Sequence, residues 1–162
     1  MEKTFKEENE GYIFYTEKHR KACLYLAEKY VKEGLMPPEI IDRMKVHDVD
    51  KLSLYMIIDK MSAQKKHQDT QAHHFGNSII KTDLDYMEAV IDWESARYTK
   101  PDKPLNAYDT LYKFYPEYED QVLPILKKLG IAESNLPMDM EIKEKLDQLN
   151  ITWDMIYKEM ER

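Results

Sequence analysis

Apolar side chains follow a helical period along most of the chain. From about residue 8 to residue 33 they recur at steps of three and four, the spacing of one face of an α-helix. Gly34 follows directly, and glycine is a frequent C-terminal stop of helices. A second helix is predicted to begin at Met36-Pro37-Pro38-Glu39, because proline is tolerated in a first helical turn. Further helices are predicted over about 54–66, from 81, over 106–114, 117–129 and 138–149, and from 152 to the end.

Helix caps and glycine usage agree with an all-α fold. Ser53 is expected to cap the 54–66 helix, and Thr82 or Asp83 the helix that begins near 81. The chain contains only 4 glycines, whereas hairpin turns need glycine or asparagine. With 162 residues the chain is long enough for one domain. We expect a helical core over 1–115 and C-terminal helices over 116–162 that pack on it within a single compact domain.

Charge and cysteine usage narrow the function classes. The net charge of −7 argues against non-specific nucleic-acid binding, which depends on basic patches. A small anionic substrate remains compatible with this charge, because bound cations can neutralise carboxylates locally. The chain has no apolar run long enough for a membrane span and no signal-peptide core at its start. The single cysteine, Cys23, cannot form an intrachain disulfide, so a cytoplasmic protein without a membrane partner is expected.

The histidines are confined to one part of the chain. All 5 lie between positions 19 and 74, namely His19, His47, His67, His73 and His74. His47 and Asp48 are adjacent, and an imidazole beside a carboxylate suits a divalent transition metal. We therefore predict that this pair is the centre of a metal site to which the surrounding helices contribute ligands.

The candidate ligands also have simpler explanations. His19 shares a helical face with Tyr15 and Cys23, so it is either a ligand or a buried histidine with a hydrogen-bond partner. Asp48 follows Met44 at a helical step, and a buried carboxylate needs a cation, although a surface salt bridge is the alternative.

The remaining candidates follow on later segments. His67 lies on the predicted inner face of its helix. His73 and His74 point in different directions on any regular backbone, so one is expected to bind metal and the other to support a ligand or contact substrate. Asp92 lies on a helical face that also carries alanines, and a solvent-facing carboxylate is its alternative reading.

A proline-rich loop over 99–104 is basic on an otherwise acidic chain. It carries Lys100 and Lys103, and Arg97 precedes it. These three side chains would form a lip over an anionic ligand, or they are solvated loop charges.

The order of these residues resembles the HD superfamily of metal-dependent phosphohydrolases. His19, the His47-Asp48 pair with Lys51 three positions on, the further histidines and then Asp92 reproduce that family's arrangement. Over about 12–115 the chain is also similar to a family of small HD-like bacterial and phage proteins of unknown function. That family typically reads His-Asp-x-Ser-Lys-Phe-Ser, then His, then Asn-Pro-His-His-aromatic, then Glu-Met-x-x-Asp-Trp. Our chain departs from it at Asp50, where serine is usual, and lacks Asn-Pro before His73.

The resemblance implies an HD-like helical bundle, a ligand set and a reaction. One divalent ion would be held by four residues, and a second by further histidines, with Asp48 shared between the two ions. The first set is His19, His47, Asp48 and Asp92, and the second is His67 with His73 or His74. The ions would be one or two of Mn, Fe, Co, Ni, Zn or Mg. The reaction implied is hydrolysis of a phosphate ester, most plausibly of a nucleotide or a nucleotide-like signalling molecule.

Roles for the other polar residues follow from that reaction. Lys51 would contact the substrate phosphate, and Asp50 would orient Lys51 or transfer a proton. His73 or His74, whichever is not a ligand, would protonate the leaving group, and we place His74 with the metal and His73 with the catalytic residues. Arg97, Lys100 and Lys103 are expected to bind the substrate.

Two other functions fit the same residues. Some HD relatives use a di-iron centre to cleave a C–C or C–P bond with oxygen, with a lysine of the same motif holding the substrate. The domain would alternatively be a non-catalytic module that binds a nucleotide or a protein. The C-terminal third offers no chemistry of its own and would cover the core, close the site or form a homo-oligomer interface.

Overall fold

The computed structural model describes residues 2–77, 79–100, 102 and 105–161, and these residues are all-helical, with no strand among them. The helices are α1 (Phe5–Glu8), α2 (Glu10–Lys32), α3 (Glu39–Val46), α4 (Val49–Ile57), α5 (Lys60–Thr70), α6 (Asp83–Thr99), α7 (Ala107–Phe114), α8 (Glu119–Leu129), α9 (Met140–Asp147) and α10 (Trp153–Met160). A short 3₁₀ turn, Pro116–Tyr118, precedes α8. The predicted all-α class is therefore confirmed.

Helix α2 is the central element of the fold. It contacts α6, α3, α4 and α9, and its contacts with α6 and α3 are the most extensive. Its C-terminal end follows the predicted chemistry, because Gly34 adopts φ 72°, a left-handed conformation that favours glycine. The Leu35 amide then donates to the Tyr30 carbonyl oxygen at 2.8 Å. The helix that carries His19 thus has a defined end.

Helix α6, the partner of α2, begins after Thr82, one of the two caps that the sequence predicts. The Thr82 hydroxyl accepts from the Asp85 amide, and the Asp85 carboxylate accepts from the Thr82 amide at 2.7 Å. This reciprocal capping box fixes the first turn of α6. It also places the carboxylates further along α6 opposite α2 and α3.

The helix predicted over 54–66 with Ser53 as its cap is wrong in its bounds. Ser53 lies inside α4, and the chain breaks at Ile58, which is extended at φ −138° and ψ 167°. Asp59 is the cap that starts α5, since its carboxylate accepts from the Ser62 amide at 3.0 Å. An aspartate is as good an N-cap as a serine, and the pattern of apolar residues does not distinguish the two starts.

Asp48 does not continue the preceding helix, although the sequence analysis places it on the same face as Met44. Helix α3 ends at Val46, and Asp48 adopts the left-handed conformation at φ 58°. Its side chain is nevertheless buried, with 3% of its surface exposed. The tight turn between α3 and α4, and not helical periodicity, brings this carboxylate inside.

Two apolar clusters flank the site. The larger one includes Cys23, Leu26 and Val90 among its buried members, and the smaller one is built from Ile13, Leu52, Tyr55, Ala63 and Ile156. Along α2, His19 lies between Ile13 of the smaller cluster and Cys23 of the larger cluster. The polar centre described below therefore lies at the junction of two hydrophobic cores.

The C-terminal helices pack on the elements that precede them. Helix α8 contacts α6 and α7, α9 contacts α2, and α10 contacts α4. None of the helices in the described part of the chain is both long enough and apolar enough to cross a membrane.

Arg20 fixes the main chain that carries the His-Asp pair. Its side chain is 4% exposed, and Nε donates to the His47 carbonyl oxygen at 2.7 Å. Nη2 donates to the Lys45 carbonyl oxygen at 2.5 Å, and Nη1 pairs with the fully buried Glu17. One guanidinium therefore donates to two carbonyl oxygens at the end of α3 and also neutralises a buried carboxylate.

We expect Arg20→Met to lower the free energy of unfolding by about 3–5 kcal/mol, because Glu17 would remain buried without its partner. Urea denaturation followed by circular dichroism measures this change. Lys21→Met is the matched control, since Lys21 lies 3.9 Å from the same Glu17 carboxylate but is partly exposed. It should cost at most ~1 kcal/mol, and equal losses in both variants would contradict the role of Arg20.

Candidate metal centre

The site is assembled from five parts of the chain. His19 comes from α2, the His47-Asp48 pair from the turn after α3, and His67 from α5. Residues 73–74 follow α5 in an irregular segment, and Asp92 comes from α6. Side chains that are up to 73 positions apart in sequence (19 and 92) therefore meet at one place.

The Asp48 carboxylate is at the centre of this assembly. Its Oδ2 atom lies 3.5 Å from Nε2 of His19 and 3.4 Å from Nε2 of His47. Its other oxygen, Oδ1, lies 3.0 Å from Nε2 of His67 and 3.5 Å from Nε2 of His73. One carboxylate thus faces a pair of imidazoles with each oxygen, which is the placement expected of a carboxylate shared between two cations.

The first group of donors consists of His19, His47, Asp92 and Cys23, whose ligand atoms lie within 4.8 Å of one another. The two Nε2 atoms of His19 and His47 are 3.4 Å apart, and Asp92 Oδ1 lies 3.4 Å from the His47 Nε2. Two donors of a tetrahedral ion with bonds of ~2.0–2.3 Å are separated by roughly 3.3–3.6 Å. Both of these separations match those edges, whereas Nε2 of His19 lies 2.7 Å from Asp92 Oδ1, the length of a direct hydrogen bond that an ion would have to replace.

The second group consists of His67, His73 and His74, whose ring nitrogens also lie within 4.8 Å of one another. The rings of His73 and His74 have centroids 4.4 Å apart, and those of His67 and His74 are 4.7 Å apart. Burial, with the neighbouring His73 and His67, lowers the pKa of His74 to about 4. His74 is therefore neutral near pH 7 and keeps a lone pair for a cation.

Four imidazoles have their Nδ1 atoms engaged by neighbouring side chains. Glu88 Oε2 lies 2.8 Å from Nδ1 of His47 and 2.7 Å from Nδ1 of His73. Asp50 Oδ2 lies 2.7 Å from Nδ1 of His67. Such contacts fix the tautomer that carries the proton on Nδ1 and leave Nε2 as the donor to a metal.

Ser95 does the same for His19. Its hydroxyl donates to the Asp92 carbonyl oxygen at 2.7 Å, so its single proton is used. Towards Nδ1 of His19, at 3.1 Å, the hydroxyl oxygen can then only accept. The four Nε2 atoms of His19, His47, His67 and His73 consequently converge on Asp48.

Three fully buried atoms of this centre make no hydrogen bond to any described residue. They are Oδ1 of Asp48, Nε2 of His67 and Nε2 of His73. His67 Nε2 lies 3.0 Å from Asp48 Oδ1, but with the imidazole proton on Nδ1 neither of those two atoms has a proton to share. A buried polar atom without a partner is costly, and these three are grouped on one side of a single carboxylate. Residues of this type, number and arrangement fit a transition metal, and a bound ion would satisfy all three atoms at once.

The electrostatic field of the site favours positive charge at its centre. Burial raises the pKa of the Asp48 carboxyl, but His47 and Lys51 hold it well below its usual range. Burial lowers the pKa of His19, yet Cys23 and Asp92 together raise it to about 10. The same carboxylates that attract protons to the imidazoles would stabilise a divalent cation in their place.

Lys51 connects the centre with a neighbouring pocket. Its Nζ lies 3.8 Å from Asp48 Oδ2, and burial lowers its pKa less than the Asp48 and Asp92 carboxylates raise it, so it stays cationic. The pocket has a volume of about 430 Å³, within the ~300–1,000 Å³ of small-molecule sites. Its lining includes three tyrosines and three lysines, Tyr12, Tyr15, Tyr55, Lys51, Lys60 and Lys100. With Asp102 also in the lining, the pocket wall is mainly aromatic and basic next to an acidic centre.

The three expected substrate-binding residues are not all found at this pocket. Lys100 lines this pocket, with Nζ 5.2 Å from the centroid of the Tyr15 ring. Arg97 does not line it. Its guanidinium pairs with Glu94 at 3.3 Å and donates to the Leu136 carbonyl oxygen. Lys103 lies outside the described residues.

Two expected catalytic residues are positioned as partners of the centre. Asp50 contacts His67 rather than Lys51, so it lies beside a candidate ligand. The sequence analysis expects His73 to donate a proton, but its Nε2 faces Asp48 and its Nδ1 faces Glu88. That position places His73 among the candidate ligands, because Glu88 engages its Nδ1 while its Nε2 faces the centre.

Sequence reasoning missed Glu88, Ser95 and the thiol of Cys23. Glu88 and Ser95 lie four positions before and three after Asp92, so all three share one face of α6. Cys23 lies four positions after His19, and its Sγ is 3.6 Å from the His19 Nε2. The sequence signal that could have identified them is helical spacing, because each lies three or four positions from a residue already predicted as a ligand, Asp92 or His19.

The chain matches no protein-family model, no curated protein and no solved structure. The functional assignment therefore depends on the geometry and chemistry of the centre itself.

We expect Glu88→Gln to weaken Zn²⁺ binding about 10–100-fold, because the amide loses the charge that orients two imidazoles. Competition with a chromophoric chelator measures the affinity. Glu94→Gln is the control, since Glu94 is equally buried on the same helix but contacts the Ala107 amide at 3.0 Å and Arg97. Equal losses of affinity in the two variants would show that Glu88 does not act through the metal centre.

Proposed function

We propose that this protein is a metal-dependent phosphohydrolase that cleaves a phosphate ester, with a nucleotide or nucleotide-like molecule as substrate. The observation that carries the proposal is the Asp48 carboxylate, whose two oxygens face two different sets of imidazole Nε2 atoms. That arrangement has the composition of a binuclear hydrolytic centre.

The residues would divide between two ions. His19, His47 and Asp92 would hold the first ion and His67, His73 and His74 the second, and Asp48 would be common to both. Divalent ions bound there would polarise a phosphoryl oxygen and lower the pKa of water toward ~7. The unpartnered buried atoms argue against a module whose histidines serve only packing, because each would destabilise the fold without a ligand.

Lys51 is the residue that we assign to the substrate. Its ammonium group is next to Asp48 and also lines the pocket, so a phosphate in the pocket can accept a hydrogen bond from it beside the centre. A fixed cation at this position would stabilise the negative charge that grows on the phosphoryl oxygens or on the leaving oxygen.

The pocket wall fits the rest of such a substrate. Tyr15 stacks on His19 with ring centroids 6.3 Å apart, so an aromatic surface begins directly at the centre. Tyrosine rings stack on a heteroaromatic base, and the lysines of the wall pair with further phosphates. This combination supports a nucleotide-like ligand over a simple sugar phosphate.

The first test is the metal content of protein purified without added metal or affinity-tag nickel. We expect up to two equivalents of a divalent transition ion, and we expect chelation to abolish hydrolysis of chromogenic phosphate mono- or diesters. Asp48→Asn should lose most of the metal while keeping its backbone, since asparagine tolerates the left-handed conformation. Asp42→Asn, on the exposed surface of α3, should keep it.

Two results would overturn the proposal. Full metal content in the Asp48→Asn variant would show that the Asp48 carboxylate is not a metal ligand. The second is bound iron together with consumption of oxygen and no hydrolysis of any phosphate ester. That result would show that the centre performs oxidative chemistry and not hydrolysis.

A second test separates substrate binding from metal binding. We expect Lys51→Met to lower kcat/KM for the best phosphate ester by about 10²–10³, the usual effect of removing one preorganised charge partner from a reacting oxyanion. Metal content should not change. Lys65→Met, at an exposed lysine of α5, is the control and should leave both values unaltered. Loss of metal from Lys51→Met would show that the lysine stabilises the metal centre rather than binding the substrate.

A further inference from the structure

The side chain of Cys23 has an unusual position for a core cysteine. It is fully buried, and its neighbours on one side are apolar members of the larger cluster. On the other side its Sγ lies 3.6 Å from Nε2 of His19 and 3.4 Å from the Ser95 hydroxyl. The sulfur therefore lies at the boundary between the hydrophobic core and the candidate metal centre.

The separation between the sulfur and the imidazole nitrogen has the length of a coordination edge. A Zn–S bond of ~2.3 Å and a Zn–N bond of ~2.0–2.1 Å at a tetrahedral angle place the two donors roughly 3.5 Å apart. The observed distance from Sγ to the His19 Nε2 is 3.6 Å, and the two imidazole Nε2 atoms of His19 and His47 are 3.4 Å apart. Two of the three edges among these atoms thus have the length expected for ligands of one ion, and the group as a whole stays within 4.8 Å.

The cysteine is not an isolated thiol. Its Sγ belongs to a group with His19, His47 and Asp92 in which all donor atoms lie within 4.8 Å of one another. The adjoining carboxylate, Asp48, is buried, and its Oδ2 lies 3.5 Å from Nε2 of His19 and 3.4 Å from Nε2 of His47. The geometry therefore points to a ligand that this whole set of donors would share.

We propose that Cys23 is a thiolate ligand of the ion held by His19 and His47, and that this position selects a thiophilic divalent ion such as Zn²⁺, Fe²⁺ or Co²⁺ over Mg²⁺. The inference rests on the metal centre of the proposed function. Binding forms one metal–sulfur bond, and the thiol proton leaves to water. Thiolate and imidazole donors suit zinc, iron and cobalt, whereas magnesium prefers oxygen ligands and keeps several waters.

The two metal positions would then differ in the type of ion that they prefer. The first position would carry sulfur, nitrogen and oxygen donors, whereas the second would carry imidazoles and one oxygen of Asp48. A mixed supply of ions would load them unequally, with the sulfur-containing position taking the softer ion.

Cobalt provides a direct test, because the chain contains 1 cysteine. Protein stripped with a chelator and reloaded with Co²⁺ should show a near-ultraviolet thiolate-to-cobalt charge-transfer band alongside the visible d–d bands. Only Cys23 can be the source of a thiolate band. Cys23→Ser should lose that band, still bind cobalt, and lose Zn²⁺ affinity by more than the ~10–100-fold typical of an outer partner, while Mg²⁺ affinity stays the same.

Ser95→Ala is the matched variant. It removes the hydroxyl that contacts both His19 and Cys23 but keeps the thiol, so the charge-transfer band should persist with a Zn²⁺ affinity that is ~10–100-fold lower. Circular dichroism checks that both variants fold, and the wild-type spectrum by itself tests the proposal if a variant does not.

Each other outcome has a definite meaning. Cobalt bound to the wild-type protein without the thiolate band would overturn the role of Cys23 and leave the metal centre in place. A band that persists in Cys23→Ser would overturn it as well. Absence of any cobalt binding would overturn this inference together with the metal centre of the proposed function.

Discussion

The burial of the Asp48 carboxylate is the constraint on which the rest of the site depends. A carboxylate that is 3% exposed at the junction of two hydrophobic clusters needs compensating positive charge. The chain surrounds it with imidazoles and the Lys51 ammonium, and each imidazole that faces it has its far nitrogen engaged by another side chain. The polar network that results is nearly complete, and its three unsatisfied atoms lie where a cation would bind.

The pairing of α2 with α6 gives this network its rigidity. Helix α2 contributes His19 and Cys23 one helical turn apart, and α6 contributes Glu88, Asp92 and Ser95 from one face. The two helices share the most extensive packing in the fold, so the distances between these side chains are set by the apolar core beneath them. A metal centre built on packed helices keeps its donors in place better than one built on loops.

One part of the site has an irregular backbone. The segment that carries His73 and His74 has no regular structure, and its path is held by contacts such as Lys81 to the His74 carbonyl oxygen. The second group of donors therefore depends on local side-chain contacts, whereas the first group depends on helix packing.

The amino-acid sequence by itself determined the helical class, most helix ends and the identity of the main metal-ligand candidates. Periodicity, caps and glycines are local properties, so the helix ends at Gly34 and Thr82 and the end of the 117–129 helix were predicted correctly without tertiary information. The confinement of all five histidines to one part of the chain, and the adjacent Asp48, were likewise visible in the sequence.

Only the tertiary structure decided how these side chains meet. The left-handed turn at Asp48, the break before Asp59 and the contact of Glu88 with two imidazoles depend on neighbours far away in sequence. Helical spacing placed Cys23 on the face of His19 but could not show whether its sulfur faced the core or the centre. Such orientations follow from which helices pack together, and that is a property of the folded chain as a whole.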